Sequence, residues 1–213
     1  MDRDHRTASK RINELDFLKF VFITLMIAFH LVYIGDTYPY AKKIVYTFHM
    51  PAFILISGYL VNLSKSPKAF IKSMLWIFIP YAIMECGYTV MASILPIREH
   101  IDHLTVLLLL EKIFIHPLGP YWYLHTLVLC SVTYYIIFHV MRFGGNMARI
   151  IILGLVFYSF SSYCHVLSFS IACYFLAGAV IRQSGMKFLG IFQASFFSVF
   201  LLIPLAMVPS NLD

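Results

Sequence analysis

The chain has 213 residues, of which 61% are hydrophobic and 12% are charged. This balance lies outside the range of soluble globular proteins and predicts an integral membrane protein. The net charge of +6 is compatible with nucleic-acid binding, but the basic residues fall in short clusters between apolar runs and form no continuous basic face, which argues against that class. We therefore expect no nucleic-acid partner, and we treat residues 1–213 as one membrane domain.

Seven apolar runs approach or exceed the roughly 20 residues that cross a bilayer. They cover roughly residues 16–35, 44–63, 70–95, 121–141, 148–164, 166–181 and 188–208. The fifth and sixth runs are short, and joining them into one span would move the C-terminus to the other side. The predicted fold is an all-α, polytopic transmembrane helix bundle of about seven spans.

A shorter apolar stretch, residues 104–115, contains Glu111 and Lys112. We expect an interfacial or re-entrant helix there.

Lysine and arginine residues divide unevenly between the two sides of the predicted bundle. With the N-terminus in the cytoplasm, eleven of the 16 lie on the inner side, four on the outer side, and one within the first span. The positive-inside rule therefore predicts a cytoplasmic N-terminus.

The first span carries two ionisable side chains, Lys19 and His30, which are eleven residues apart. At about 100° per residue this spacing is three turns, so the two side chains share a face and lie about 16 Å apart along the axis. Ionisable groups in lipid are costly, so a pair on one stripe indicates a polar path inside the bundle. We therefore expect both residues to be functional.

The predicted topology places further polar side chains near that path. His49 in the second span matches the depth of His30, Glu85 lies at mid-membrane, and His125 enters the fourth span from outside. We predict a polar cavity that opens outward and is lined by these four side chains. A structural interhelical hydrogen bond remains the alternative for a single histidine, and anchoring at the membrane interface is the alternative for Trp122.

The four cysteines lie inside apolar runs and have no C-x-x-C spacing. The segment H-I-D-H spaces His100 and His103 like metal ligands, but two loop histidines without further ligands do not make a site. We expect no metal.

Four motifs, in order along the chain, carry a resemblance to a known family. They are L-D-F-L-K followed ten residues later by F-H, then F-H-M-P-A-F-I-L-I-S-G-Y-L, then a basic segment ending in I-P-Y, then G-P-Y-W-Y-L. In this order they resemble the membrane-integral acyltransferase type three family. That family comprises bacterial inner-membrane O-acyltransferases, including sugar O-acetylases of surface polysaccharides.

The resemblance implies transfer of an acyl group, expected to be acetyl, from acyl-CoA to a hydroxyl of a cell-surface polysaccharide or glycolipid sugar. Acetyl-CoA or another acyl-CoA would arrive from the cytoplasm as a substrate, and no permanently bound cofactor is expected. The family's basic residue and histidine are matched by Lys19 and His30. We expect His30 to be the general base, because imidazole exchanges protons near neutral pH. Asp16, three residues before Lys19, is expected to hold the lysine ammonium.

The remaining candidate residues follow from these assignments. Lys19 and Glu85 are further catalytic candidates, and Lys19 would bind the donor or stabilise charge. Acceptor binding is assigned to His49, Trp122 and His125. Donor binding is assigned to Arg11, Lys65, Lys68 and Lys72, where lysines stand in place of the family's usual arginine pair and cannot form its planar, bidentate contacts.

The family has about ten helices, so the resemblance implies that this chain is a short member or a fragment that lacks the last helices. The expected location is the bacterial inner membrane, in a multi-pass arrangement surrounded by lipid. Two alternatives stay open. Proline breaks at Pro51, Pro80 and Pro204 would fit the mobile helices of a transporter or flippase for a glycan or lipid intermediate, although no internal repeat is visible. An inactive membrane scaffold is the other.

Overall fold

The computed structural model describes residues 12–95, 100–141 and 144–191. In these ranges every regular element is helical and no strand occurs, which confirms the all-α prediction for this part of the chain. The α-helices, numbered in chain order, are α1 Asn13–His30, α2 Val32–Thr37, α3 Pro39–Leu60, α4 Pro67–Ile94, α5 Val106–Phe114, α6 Trp122–Val140, α7 Asn146–Ser162, α8 Phe169–Gln183 and α9 Phe188–Ile191.

Two helical stretches of the described chain are long and apolar enough to cross a membrane, judged by length and composition alone. They are Pro67–Ile94, which is α4, and Val106–Val140, which contains α5 and α6. The helices α7 and α8 are apolar but shorter, and they confirm that the fifth and sixth runs are separate helices. The seven spans and the cytoplasmic N-terminus stay predictions, and most of the seventh run lies outside the described residues.

The first predicted run is two helices rather than one. The helix α1 ends at His30, Leu31 has an extended backbone with φ −68° and ψ 119°, and α2 begins at the next residue. The Leu31 amide still donates to the Ile27 carbonyl at 3.2 Å, and the Leu31 carbonyl accepts from the Gly35 amide at 2.8 Å. One non-helical residue therefore suffices for the break. It makes His30 the last residue of α1, instead of a residue about five positions from the outer end of a continuous span.

The helix α3 is the centre of the bundle because both hydrophobic cores contain it. Ile54 is fully buried in a core built with α6, α7 and α8. Ile56 belongs to a second core with Leu15 and Phe22 of α1 and with Ile181 of α8. Opposite faces of α3 are thus covered, and α3 fixes the position of α1.

The crossing of α3 and α8 depends on two glycines that face each other's backbone. A Cβ at Gly58 would collide with the Phe175 carbonyl oxygen, and a Cβ at Gly178 would collide with the Leu55 carbonyl oxygen. Small residues of this kind let two helix backbones approach closely. The glycine of the S-G-Y-L motif is therefore required by packing.

A third glycine shapes the entry to α6, where a 3-10 turn spans Gly119–Tyr121. Gly119 has φ +61°, a conformation that side chains disfavour, and a Cβ there would also meet the Tyr88 ring. Pro120 follows as the second residue of this turn, where a helix has no internal acceptor for the N–H that proline lacks. The G-P-Y-W-Y-L motif is thus a tight turn into a helix. In contrast, Pro51 and Pro80 lie inside the uninterrupted helices α3 and α4.

Candidate active site

His30 lies at the end of α1, against the N-terminal half of α3. Its Nδ1 is 2.8 Å from the Met26 carbonyl oxygen and 3.1 Å from the Tyr46 hydroxyl. The imidazole and the Tyr46 ring are 5.4 Å apart between centroids. The His30 side chain is exposed, so a ligand can reach it.

The partners of His30 determine which ring nitrogen carries the proton. A carbonyl oxygen only accepts, so Nδ1–H must donate to Met26. The Tyr46 hydroxyl donates its single proton to the Phe29 carbonyl at 3.3 Å, and therefore accepts from His30. With Nδ1 protonated in the neutral ring, Nε2 keeps its lone pair. The geometry leaves Nε2 of His30 as the nitrogen that can take up a proton.

His49 repeats this arrangement one helix away. Its Nδ1–H donates to the Val45 carbonyl at 2.7 Å, which leaves Nε2 as the acceptor nitrogen. Its ring lies 5.2 Å from the Tyr46 ring, so Tyr46 contacts both histidines. His49 is only 2% exposed, and its Nε2 has no hydrogen-bond partner among the residues that the structure describes. We call His30, Tyr46 and His49 the histidine cluster.

A cavity lies toward the predicted cytoplasmic side of this cluster, between α1, α3, α4 and α6. Its volume is about 620 Å³. Lys19 and Lys65 both line it, together with Ser57 and Phe53 of α3. Phe53 is one helical turn from His49 in α3, so the cavity ends near the histidine cluster. None of the four side chains predicted to line an outward-opening cavity, His30 and His49 included, lines this one.

The two lysines of the cavity are held by polar partners. Lys19 Nζ is 2.8 Å from an Asp16 carboxylate oxygen, which confirms the predicted pair. Lys65 Nζ donates to the Ser73 hydroxyl at 2.7 Å. The Lys65 carbonyl in turn accepts from the Tyr135 hydroxyl at 2.7 Å, so α6 fixes the loop between α3 and α4. The cavity therefore contains two cations that neighbouring side chains hold in position.

Two of the predicted motifs meet at the same cavity. Ser57 of the S-G-Y-L motif has its hydroxyl 3.4 Å from the Tyr123 hydroxyl of the G-P-Y-W-Y-L motif. The Tyr123 ring also packs edge-on against Phe53, with centroids 5.3 Å apart. These contacts tie α3 to α6 beside the cavity.

Glu85 and His125 lie in a different environment, around the loop between α5 and α6. Glu85 is fully buried and its Oε1 accepts from the Leu118 amide at 2.6 Å. His125 Nε2–H donates to the Phe114 carbonyl at 2.9 Å. Tyr81 adds a hydrogen bond to the Ile113 carbonyl at 2.7 Å. Tyr81 and His125 thus hold the C-terminal end of α5, and Glu85 holds the loop that leads into α6.

The other predicted site residues are distributed around the fold. Trp122 is partly buried at the start of α6, with its ring 6.4 Å from that of Tyr123. Lys68 and Lys72 are exposed on α4 and do not line the cavity. Arg11 lies outside the described residues. Within the described part, no group of three or more His, Cys, Asp or Glu side chains is placed to hold a metal ion.

Three side chains that contact the site residues are absent from the sequence-based predictions, namely Tyr46, Ser73 and Tyr135. Tyr46 precedes His49 by three residues, so helical spacing alone places the two on one face, and this signal was available. Ser73 and Tyr135 reach Lys65 across a loop and from another helix, and no local pattern in the sequence indicates either contact.

Comparison with known proteins gives one family. The chain matches the acyltransferase type three family, described as an acyltransferase domain, over residues 12–210. No curated protein and no solved structure matches the chain. The match covers nearly the whole sequence, so the chain belongs to the acyltransferase type three family and is an acyltransferase.

Proposed function

We propose that this protein is a multi-pass enzyme of the bacterial inner membrane that transfers an acyl group, expected to be acetyl, from acyl-CoA to a sugar hydroxyl. The acceptor sugar belongs to a cell-surface polysaccharide or a glycolipid. The observation that carries the proposal is the His30 geometry, in which Nδ1–H is bound to Met26 and the exposed side chain keeps Nε2 as its proton acceptor. Family membership supplies the acyl-transfer chemistry.

In this mechanism His30 Nε2 takes the proton from the acceptor hydroxyl as its oxygen attacks the thioester carbonyl carbon. The carbonyl π electrons move to oxygen, and a tetrahedral oxyanion forms. Its collapse restores the carbonyl, breaks the C–S bond and expels the thiolate, which takes the proton back from His30. A positioned base of this kind accelerates a reaction by about 10²–10⁴-fold.

The lysine-lined cavity suits the donor. Lys19 and Lys65 provide cations for the phosphates of CoA, and lysine binds phosphate as a point charge. The cavity extends from Lys65 to Ile23 and Phe53, which is the direction that a flexible thioester arm must take toward His30. Lys68, Lys72 and Arg11 belong to the same predicted cytoplasmic side, and we assign them to attraction of the donor from the cytoplasm.

We assign acceptor binding to the outer side. The buried His49 Nε2 is a hydrogen-bond acceptor without a donor in the described part of the chain, and a sugar hydroxyl would supply one. Because His49 is 2% exposed, this contact requires neighbouring side chains to move aside. Trp122 offers an aromatic face to the sugar. Glu85 holds the α5–α6 loop and His125 holds the end of α5, so we treat both as positioning residues.

The decisive test compares His30→Ala with the wild-type enzyme. Membrane vesicles that contain each protein are incubated with [¹⁴C]acetyl-CoA, and label is counted in the polysaccharide and glycolipid fractions. We expect incorporation to fall by at least about 10²-fold, because no other base replaces the lost imidazole. His103→Ala removes an exposed loop histidine and is the matched control, with unchanged incorporation.

Undiminished incorporation by His30→Ala, with the protein present in equal amount, would refute the proposed base. Absence of incorporation by the wild-type enzyme would instead favour the scaffold or transporter alternatives, because neither consumes the donor.

A further inference from the structure

A cation lies beside the histidine cluster at the first turn of α3. Lys42 Nζ is 5.9 Å from the centroid of the Tyr46 ring. The same ring contacts His30 and His49 at 5.4 Å and 5.2 Å. Lys42 is partly buried, and one aromatic side chain thus joins an ammonium group to both imidazoles.

The Lys42 side chain is accommodated by a glycine of α2. A Cβ at position 35 would lie 3.1 Å from Lys42 Nζ and 2.8 Å from the Phe29 carbonyl oxygen, so Gly35 leaves the space that the ammonium uses. No carboxylate pairs with Lys42 among residues 12–95, 100–141 and 144–191. A partly desolvated ammonium without a protein counter-ion is available to a negative charge that develops in the site.

Lys19 is too far from His30 to stabilise a negative charge that develops there. It is eleven residues from His30 in α1, about 16 Å along the helix axis, and its Nζ is paired with Asp16 at 2.8 Å. A charge that forms beside His30 Nε2 is out of its reach. Among the described residues, Lys42 is the cation that lies over the Tyr46 ring, which also contacts His30.

We propose that Lys42 is a catalytic residue whose ammonium group stabilises the oxyanion of the tetrahedral intermediate. This inference rests on the proposed function. The Lys42 ammonium contacts the former thioester carbonyl oxygen while His30 holds the acceptor proton, and it releases that oxygen when the C–S bond breaks. Lys42 transfers no proton, so the balance of the reaction is unchanged. Because the oxyanion exists only in the transition state and the intermediate, the contact acts on kcat.

The test is a steady-state comparison of Lys42→Met with Lys43→Met, its exposed neighbour. Each purified protein is assayed with [¹⁴C]acetyl-CoA and the polysaccharide fraction that the wild-type enzyme labels. For Lys42→Met we expect kcat to fall about 100-fold with KM values for donor and acceptor within about twofold of wild type. Lys42→Arg keeps the positive charge and should recover part of the loss. Lys43→Met should behave like the wild type.

The outcomes separate this inference from the proposed function. If His30→Ala is inactive while Lys42→Met has wild-type kcat, the Lys42 role is wrong and the base assignment stands. If both variants keep full activity, the His30 base assignment and the Lys42 role are both wrong, although acyl transfer itself still occurs. A raised acceptor KM with unchanged kcat would also overturn the inference, because it would place the ammonium on the bound sugar. Thermal unfolding in detergent verifies folding, and Lys42→Gln is the second variant if Lys42→Met is not recovered folded.

Discussion

The ionisable groups of the lysine-lined cavity and of the histidine cluster have different kinds of partner. In the cavity, Lys19 is paired with Asp16 at 2.8 Å and Lys65 is bound to Ser73 at 2.7 Å. In the cluster, His30 and His49 each use Nδ1 to bind a backbone carbonyl of their own helix, and Nε2 stays a lone-pair nitrogen.

This difference fits a role of the cavity in donor binding and a role of the cluster in proton transfer. A lysine side chain that neighbouring side chains already hold in place loses little conformational entropy when it binds a phosphate. A base must instead present an open lone pair in a fixed direction. The comparison predicts that changes in the cavity act on donor affinity and that changes in the cluster act on turnover.

The largest expected effect in this comparison comes from Lys19→Met. Loss of a charged hydrogen bond to a phosphate costs about 2 kcal/mol, so the KM for acetyl-CoA should rise about 30-fold with kcat nearly unchanged. Steady-state kinetics at varied donor concentration measures this split. Lys43→Met is the control, because Lys43 is exposed, does not line the cavity and has no assigned part in donor binding. A fall in kcat as deep as that of His30→Ala would remove the distinction between the two regions.

A smaller effect is expected from Tyr46→Phe, which keeps the aromatic ring and removes the hydroxyl between His30 and the Phe29 carbonyl. One neutral hydrogen bond is worth about 1 kcal/mol, so kcat should fall about fivefold. The donor KM should stay at its wild-type value. Tyr33→Phe is the control, since Tyr33 is 84% exposed in α2. An unchanged kcat in Tyr46→Phe would show that the Met26 carbonyl orients His30 without help.

The smallest effect is the coupling between these two changes. Lys19 and His30 are about 16 Å apart along α1, and mutations at such separations add to within about 0.5 kcal/mol. The fold-loss of kcat/KM in the double variant Lys19→Met, Tyr46→Phe should therefore equal the product of the fold-losses in the two single variants. A coupling above about 1 kcal/mol would mean that the cavity and the cluster act as one site.

Local spacing predicted those parts of the site that lie within single helices. The Asp16–Lys19 pair follows from a separation of three residues and is present as expected. The Leu31 break could not be predicted, because Leu31 is an ordinary helix-forming residue inside an apolar run. Contacts between helices could not be predicted from local spacing either. The Ser57–Tyr123 contact joins two motifs that the sequence separates by 66 residues.

Glu85 shows why depth along a predicted span is an incomplete guide to function. Its position in the third predicted span suggested a polar cavity, and the structure shows that Glu85 is buried there. The carboxylate oxygen, however, accepts from the Leu118 amide, which belongs to a loop. Backbone amides of loops leave no trace in a hydropathy pattern, so this partner appears only when the chain is folded.

The glycine contacts between α3 and α8 have a consequence for how substrate could enter. Gly58 and Gly178 leave no clearance between the two backbones, so these helices cannot slide past each other and must travel as one rigid body. The cavity borders this rigid pair at Phe53, Ser57 and Leu60, while its remaining walls come from α1, α4, α6 and the loop between α3 and α4. Widening the donor entrance therefore requires those walls to move relative to the α3–α8 pair.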